Sequence, residues 1–132
     1  MSGSISDVLT TLKNGVVAIN NLAGFVKQGV LLGRGEMPGS YGVFYTVPTG
    51  GNTVVTNIDI SNGTNATQQI YVSFVPTGLA PGTTNALFYH VALPSYTTLQ
   101  WVGAQALTAG DTIQAYSSSA SDCAIMITGV PV

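Results

Sequence analysis

The sequence is short of charged residues: only 6% of the chain is Asp, Glu, Lys or Arg, against about 25% in a typical globular domain. Its basic residues are Lys13, Lys27 and Arg34, and none follows Arg34. Binding to nucleic-acid phosphates or to anionic lipid headgroups depends on clusters of cationic side chains. The sequence therefore excludes a basic binding surface, and we expect no direct contact with nucleic acid or membrane.

Cysteine and histidine are equally scarce, with one of each, Cys123 and His90. One cysteine cannot form an internal disulfide, and a structural zinc site takes four Cys or His ligands. A nucleophilic triad needs a base, usually His. His90 lies in the apolar segment NALFYHVAL, where alternation puts it on one face with Phe88 and Ala92, and this favours a hydrogen-bonded structural role. No nucleophile elbow or phosphate loop is present.

These absences predict a protein that is not an enzyme, with no catalytic residue, no metal site and no cofactor. The small, apolar cysteine in DCAIMITGV is typical of the core of a strand. Asp111 and Asp122 each occur in a turn segment beside Gly or Ser, where an Asp carboxylate most often bonds nearby backbone.

Long apolar runs are also missing. The start MSGSISDVLTTLK lacks the basic region and the continuous apolar core of a signal peptide. The segment GVVAINNLAGFVKQGVLLG is interrupted by Asn20, Asn21, Lys27 and Gln28, whereas a membrane span needs about 20 mostly apolar residues. We therefore expect neither a secretion signal nor a membrane span.

The first 34 residues do contain apolar residues at alternate spacings of four and three, the heptad pattern of an amphipathic helix. Gly15 and Gly24 each weaken a helix by about 1 kcal/mol relative to Ala, so this helix needs a surface to pack on. It lies either on its own sheet, or against the same segment of neighbouring copies or another protein. We interpret residues 1–34 as an assembly arm whose helix seam is formed by Ile5, Leu9, Leu12, Val16, Ile19, Ala23, Val26 and Val30.

A Gly-rich linker is predicted at residues 35–40, and from Tyr41 onward the apolar residues alternate with a period of two. Such alternation is typical of strands with one buried face, and the intervening segments are rich in the turn residues Gly, Pro and Asn. Seven short strands at this spacing indicate a sandwich or barrel. The candidate strands are YGVFYTV, NTVVTNIDIS, QQIYVSFV, NALFYHVAL, TTLQWVGA, DTIQAYSS and DCAIMITGV.

The sequence thus predicts a mainly β fold, an antiparallel β-sandwich or jelly roll of about seven to eight strands over residues 41–132, preceded by an N-terminal amphipathic α-helix. In the second candidate strand, Val54, Thr56, Ile58 and Ile60 are expected to share one face. Asn62-Gly63 is expected to form a hairpin turn.

Aromatic residues fall in or beside the candidate strands. Tyr71 and Phe74 cannot both point inward if their strand is regular, because side chains alternate between the two faces. Outward Tyr side chains are good anchors for protein interfaces, and they can also stack on sugar rings. The sequence leaves both uses open.

The segments YTVPTGGNTVVTNIDISNGT, VSFVPTG and NALFYHVALPSYTTLQWVGAQALTAGDTIQAYSSSASDCAIMITGV together resemble small β-sandwich virion proteins of tailed bacteriophages. The resemblance covers residues 41–130 and is carried by an opening at residues 45–62, a hairpin at residues 107–115 and a final strand at residues 124–130. It implies a jelly-roll-like sandwich with a structural role on the particle. Such domains occur as capsid decoration proteins and as neck, tail or fibre components.

We therefore expect a virion structural protein, assembled in the cytoplasm of a bacterial host. Capsid decoration, in which subunit contacts stabilise the shell, is favoured because the chain is small and has no long fibrous region. The partners would be copies of itself, with a trimer suited to jelly rolls and heptads, and the major capsid protein or another virion protein. The alternatives are a tail, neck or head-fibre subunit, or a carbohydrate- or receptor-binding module.

Overall fold

A computed structural model describes residues 29–132 of the chain. Eight strands follow one another: β1 Val30–Glu36, β2 Gly42–Thr46, β3 Asn52–Asn62, β4 Gln68–Val75, β5 Ala86–Leu93, β6 Thr98–Thr108, β7 Thr112–Ser117 and β8 Cys123–Pro131. The seven strands predicted from Tyr41 onward are all present. No α-helix occurs in this part of the chain, and accordingly none there is long and apolar enough to cross a membrane.

The strands form two antiparallel sheets of four. Sheet A has the order β1-β8-β3-β6 and sheet B the order β2-β7-β4-β5. β1 pairs with β8, β2 with β7, β3 with β6 and β4 with β5. The first half of the described chain therefore pairs with the second half in reverse order, as in one long hairpin that folds over into two layers. The predicted mainly β, antiparallel fold is confirmed.

The core lies between the two sheets and consists of alternate residues of each strand. In β8, Cys123, Ile125 and Ile127 are buried, while Ala124 and Met126 between them are exposed. This period of two places Cys123 in the core, as predicted. The buried cluster comprises Met37, Val47, Val55, Ile58, Ile60, Ile70, Val72, Leu93, Leu107, Ile113, Ala115, Cys123, Ile125 and Ile127.

The predicted boundary between arm and sandwich is wrong. Residues 30–36 form β1, an edge strand of sheet A, instead of the end of a helix and the start of a linker. Val30 of the predicted helix seam is an exposed residue of this strand. Gly33 in this strand serves close packing, since a Cβ there would collide with the carbonyl oxygen of Phe44. The remaining seam residues, Ile5 to Val26, lie outside the described residues.

The face predicted for β3 is partly wrong. Thr53, Val55, Ile58 and Ile60 point into the core, while Val54 and Thr56 do not. The pairing of β3 with β8 shifts between Val55 and Asn57, so Thr56 is an extra residue, a β-bulge. A bulge reverses the alternation beyond it, and this explains the change of face.

The predicted hairpins are also wrong. Asn62-Gly63 connects β3 of sheet A with β4 of sheet B, and residues 107–115 connect β6 of sheet A with β7 of sheet B. Only β4 and β5 are consecutive strands paired in one sheet of the described residues. The buried side chain of Asn62 instead joins two loops, because its amide nitrogen donates to the carbonyl oxygens of Ala66 at 2.7 Å and Leu93 at 3.1 Å.

Candidate functional site: a tyrosine band across sheet B

Four tyrosines and one histidine form a continuous row across the outer face of sheet B. We call this row the tyrosine band. Tyr116 lies on β7 and Tyr71 on β4, while Tyr41 directly precedes β2. The strand order β2-β7-β4-β5 brings residues that are far apart in sequence next to one another. The members of the tyrosine band are Tyr41, Tyr71, Tyr89, His90 and Tyr116.

Alternation within the strands fixes the outward direction of the band. Ile70 and Val72 on either side of Tyr71 are fully buried, as is Ala115 beside Tyr116. Tyr71 and Tyr116 occupy directly opposite positions of β4 and β7, so both rings stand on the outer face. Phe74, on the other face of β4, packs against Trp101 with ring centroids 5.8 Å apart, and this confirms that Tyr71 and Phe74 point to opposite sides.

The rings contact each other in sequence along the band. Tyr71 and Tyr116 are stacked, with centroids 4.1 Å apart and an interplanar angle of 4°. Tyr41 meets Tyr116 edge to face at 4.6 Å, and Tyr89 meets Tyr71 edge to face at 5.3 Å. Aromatic pairs at such distances each contribute about 0.5–1.5 kcal/mol beyond their area burial, so these contacts stabilise the arrangement of the rings in the band.

A β-bulge in β5 forms the end of the band that consists of Tyr89 and His90, which we call its open end. Ile70 pairs with Val91 and Val72 with Phe88, so Tyr89 and His90 together lie opposite the single residue Tyr71. His90 adopts a φ of 56°, which is uncommon for a residue other than glycine. The bulge therefore places two consecutive side chains beside Tyr71, where a regular strand would place one.

The interpretation of His90 as a residue on the face of Phe88 is thus wrong. Phe88 packs against the core, whereas His90 is exposed and its Nδ1 lies 2.5 Å from the hydroxyl of Tyr71. The expectation of a hydrogen-bonded histidine is confirmed, but the bond is on the surface. The sequence could not reveal this, because one extra residue in the pairing decides the face.

The chemistry of the band is that of phenols and one imidazole. Burial raises the pKa of Tyr116 to about 12, and its hydrogen bond with Tyr71 adds to this shift. Within residues 29–132, no three His, Cys, Asp or Glu side chains come together in a way that could hold a metal ion. The band can stack on flat or apolar groups and exchange hydrogen bonds through its hydroxyls.

Comparisons with known proteins identify a related fold. No protein-family model matches the chain, and no curated protein matches it. A solved structure described as "Bacillus endospore appendages form a novel family of disulfide-linked pili" superposes with a TM-score of 0.51 over 79% of this chain and 83% of that chain, at 8% sequence identity. At this identity the likeness shows a common β-rich fold alone. It does not show membership of a bacteriophage virion family.

Proposed function

We propose that this chain is a non-enzymatic structural protein of a virion, present in many copies, and that its particular role is capsid decoration. The observation that carries this proposal is the composition of the folded part. Among residues 29–132, the Lys, Arg, Asp and Glu residues are limited to Arg34, Glu36, Asp59, Asp111 and Asp122. A surface with few long charged side chains loses little conformational entropy when another subunit covers it.

The strand order supports the proposal. Two sheets of order β1-β8-β3-β6 and β2-β7-β4-β5 correspond to a jelly roll, an eight-stranded fold that occurs in viral capsid and lectin domains. This is the fold that the sequence resemblance to phage virion proteins implies. Fold alone does not determine function, so the main support for the proposal is the scarcity of charged side chains on the surface.

The solved structure with the similar fold is described as a pilus subunit family that is disulfide-linked. Subunits in a multi-copy assembly of the present chain would not be joined by disulfides. Its single cysteine, Cys123, is only 2% exposed, so the folded subunit offers no thiol for a link to a neighbour. We therefore infer that its contacts with other subunits are noncovalent.

The proposed partners are further copies of the chain, as a trimer, together with the major capsid protein or another virion protein. Residues 1–28, which contain the predicted seam residues other than Val30, would contribute through their apolar side chains. Neither nucleic acid nor membrane is a proposed partner. The proposed location is the virion, after assembly in the bacterial cytoplasm.

The experiment is electron cryo-microscopy of virions that carry the gene for this chain, with a label on the C-terminus of the full-length protein. We expect label distributed over the shell. Label at one vertex or along the tail would contradict capsid decoration and would support the alternative role as a tail, neck or head-fibre subunit. Complete absence of label from purified particles, with the protein expressed and folded, would overturn the virion role.

A carbohydrate- or receptor-binding module is the second candidate, favoured by the open end of the tyrosine band. Tyr89 is 52% exposed and lies beside the exposed imidazole of His90, and such a pair can stack on a sugar ring and bond its hydroxyls. Tyr89→Ala should then abolish binding on a glycan array and leave particle incorporation intact. Tyr96→Ala, at another exposed tyrosine outside the band, is the matched control.

A further inference from the structure

The outer face of sheet A carries an apolar patch at the end of the sheet where the described chain begins. One row of directly paired residues crosses all four strands and consists of Leu31, Thr128, Asn57 and Val102. Leu31 is 49% exposed and Val102 is 71% exposed, so the row ends in an exposed aliphatic side chain on either side. Met126, in the next row of β8, is 46% exposed. We call Leu31, Met126 and Val102 the apolar patch.

Alternation within β8 shows that this row points away from the core. Ile127 and Gly129 on either side of Thr128 are buried, so Thr128 faces outward. Residues directly opposite each other in an antiparallel pair share a face, and the whole row therefore faces outward. Val130 and Val54 form the adjacent outward pair and are half-buried, so the apolar surface continues toward the end of the sheet where β1 begins.

Gly29, the first described residue, lies over this same face. A Cβ at Gly29 would be 2.8 Å from Cγ2 of Thr128 in β8 and 3.8 Å from Oγ1 of Thr56 in β3. β3 is the second strand in from β1, and neighbouring strands lie about 4.8 Å apart, so a residue that simply extended β1 would be about 10 Å from β3. Gly29 therefore lies above the outward side chains, and the chain reaches β1 from the outer face of sheet A.

We propose that residues 1–28, which we call the arm, dock with their predicted seam on the apolar patch of their own sheet A. The sequence left open whether this segment packs on its own sheet or on another chain, and the position of Gly29 favours its own sheet. A segment joined to the chain directly above a surface has an effective concentration there of about millimolar, which a separate copy does not reach at ordinary protein concentrations. The predicted helix, weakened by Gly15 and Gly24, needs such a surface to be stable.

The length of the arm suits this contact. The four strands of sheet A span about 14 Å from the first to the last, whereas about 20 residues of helix span about 30 Å. The 28 residues before Gly29 are therefore sufficient to cross the face from β1 to β6. Val26, the last seam residue before Gly29, would reach the apolar patch first.

This inference goes beyond the proposed function and does not depend on the virion role. It is also compatible with the proposed partners, because the arm has apolar residues outside the seam that would remain available to other subunits. These residues are Val8, Val17, Leu22 and Phe25. Docking of the seam on sheet A would fix the direction in which they point, and the arm would then present them as part of the folded subunit.

The first test is limited digestion of the full-length protein with trypsin, which cleaves after Lys and Arg. The arm contains Lys13 and Lys27, and the remaining basic residue of the chain is Arg34 in β1. Val102→Glu places a charge in the apolar patch, and an apolar contact is weakened when it must bury a charge. Because cleavage follows the population of the open form, we expect cleavage after Lys13 to be at least about tenfold faster in this variant.

The matched control is Val43→Glu, which places the same charge on β2 of sheet B at a valine that is 57% exposed. It should leave the cleavage rate within about twofold of that of the unmodified chain. Cleavage after Arg34 requires β1 to leave the sheet, so an unchanged rate there shows that each variant keeps its fold. Equally fast cleavage after Lys13 in all three proteins would overturn the docked arm. Protection that grows with protein concentration would also overturn it, because the arm would then dock on a neighbouring copy.

The second test changes the arm and measures the patch. Oxidation of methionine to its sulfoxide by hydrogen peroxide depends on access to the sulfur, and mass spectrometry of peptides reports it for each methionine. Ile19→Glu in the seam should raise the rate at Met126 by at least about threefold, because the covering arm is released. Asn14→Glu, outside the seam, should leave this rate within about twofold, and the fully buried Met37 should stay slow while the sandwich is folded. Equal rates at Met126 in all three proteins would exclude the arm as its cover, and the virion role would still be decided by the position of the label.

Discussion

Tyr71 and Tyr116 stack directly across β4 and β7, with their ring planes 4° from parallel. Burial raises the pKa of Tyr116 to about 12 from its ordinary value of 10.0, with a further contribution from the hydrogen bond with Tyr71. A folded-state pKa above the unfolded value means that the fold favours the neutral phenol. Its contribution to stability is therefore fully present below pH 10 and is lost as the pH rises through about 12.

The first prediction is a loss of stability in alkali that depends on the hydroxyl of Tyr116. The difference between a pKa of 10.0 and one of about 12 corresponds to about 2.7 kcal/mol, and solvent screening at the surface reduces the expected effect to about 1 kcal/mol. The free energy of unfolding in urea should fall between pH 9 and pH 11.5 by this amount more in the unmodified protein than in Tyr116→Phe. Equal losses in the two proteins would contradict the prediction.

The second prediction concerns Asp111, whose carboxylate joins the loop after β4 to the turn between β6 and β7. One oxygen accepts from the backbone N–H of Thr108 at 2.8 Å and the other from that of Thr77 at 3.0 Å. Each hydroxyl of these two threonines donates as well. The backbone bond from Thr108 is the main cause that lowers the pKa of Asp111 below 3.8.

A lowered pKa gives stability that is present above the unfolded value near 3.8 and is lost as the pH falls through the folded value. Asp111→Asn should therefore destabilise the protein at pH 7 by about 1 kcal/mol, and the difference from the unmodified protein should shrink below pH 3. Urea unfolding at pH 7 and pH 2.5 measures this. Thr77→Val removes only one donor, so its free energy of unfolding should differ less from that of the unmodified protein. An effect of Asp111→Asn that does not change with pH would exclude the carboxylate charge as its cause.

The third prediction tests the packing at the β3 bulge. A Cβ at Gly129 would lie 2.5 Å from the carbonyl oxygen of Val54 and 2.6 Å from Cδ1 of Leu32. Backbone cannot yield as a flexible side chain can, so Gly129→Ala should cost about 2–3 kcal/mol. Gly82→Ala is the matched control, since a Cβ added there would have no other atom within 4 Å, and it should change stability by less than about 0.5 kcal/mol. Thermal and urea unfolding of both variants would reveal the contrast.

Features that depend on the local alternation of apolar and polar residues could be predicted from the sequence. Seven strands, the core position of Cys123 and the opposite directions of Tyr71 and Phe74 follow from a period of two, because each inward position needs an apolar side chain. β1 was missed because its glycines, which allow the close approach of Phe44 to Gly33, also occur in linkers. The prediction that Val54 lies on the same face of β3 as Ile58 and Ile60 was wrong because a single bulge residue, Thr56, reverses the alternation.

The tyrosine band was beyond sequence reasoning for a different reason. Tyr41, Tyr71 and Tyr116 become neighbours only through the strand order of sheet B, and nothing local specifies that order. The predicted hairpins failed on the same point, since turn residues such as Asn62-Gly63 end a strand without determining which sheet the next strand joins. The exposure of His90 depends on one extra residue in β5. Each of these features is set by pairing between distant segments.

The fourth prediction concerns the thiol of Cys123, which is 2% exposed and whose pKa is raised chiefly by burial. The thiolate is the reactive form, so burial slows reaction both by blocking access and by favouring the protonated thiol. Labelling by Ellman's reagent at pH 8 should be at least about 100-fold slower in the native protein than in denaturant, because the site must open first. Rapid labelling of the native protein, or disulfide-linked multimers on a non-reducing gel of assembled material, would show that this thiol is accessible and that covalent links between subunits must be considered.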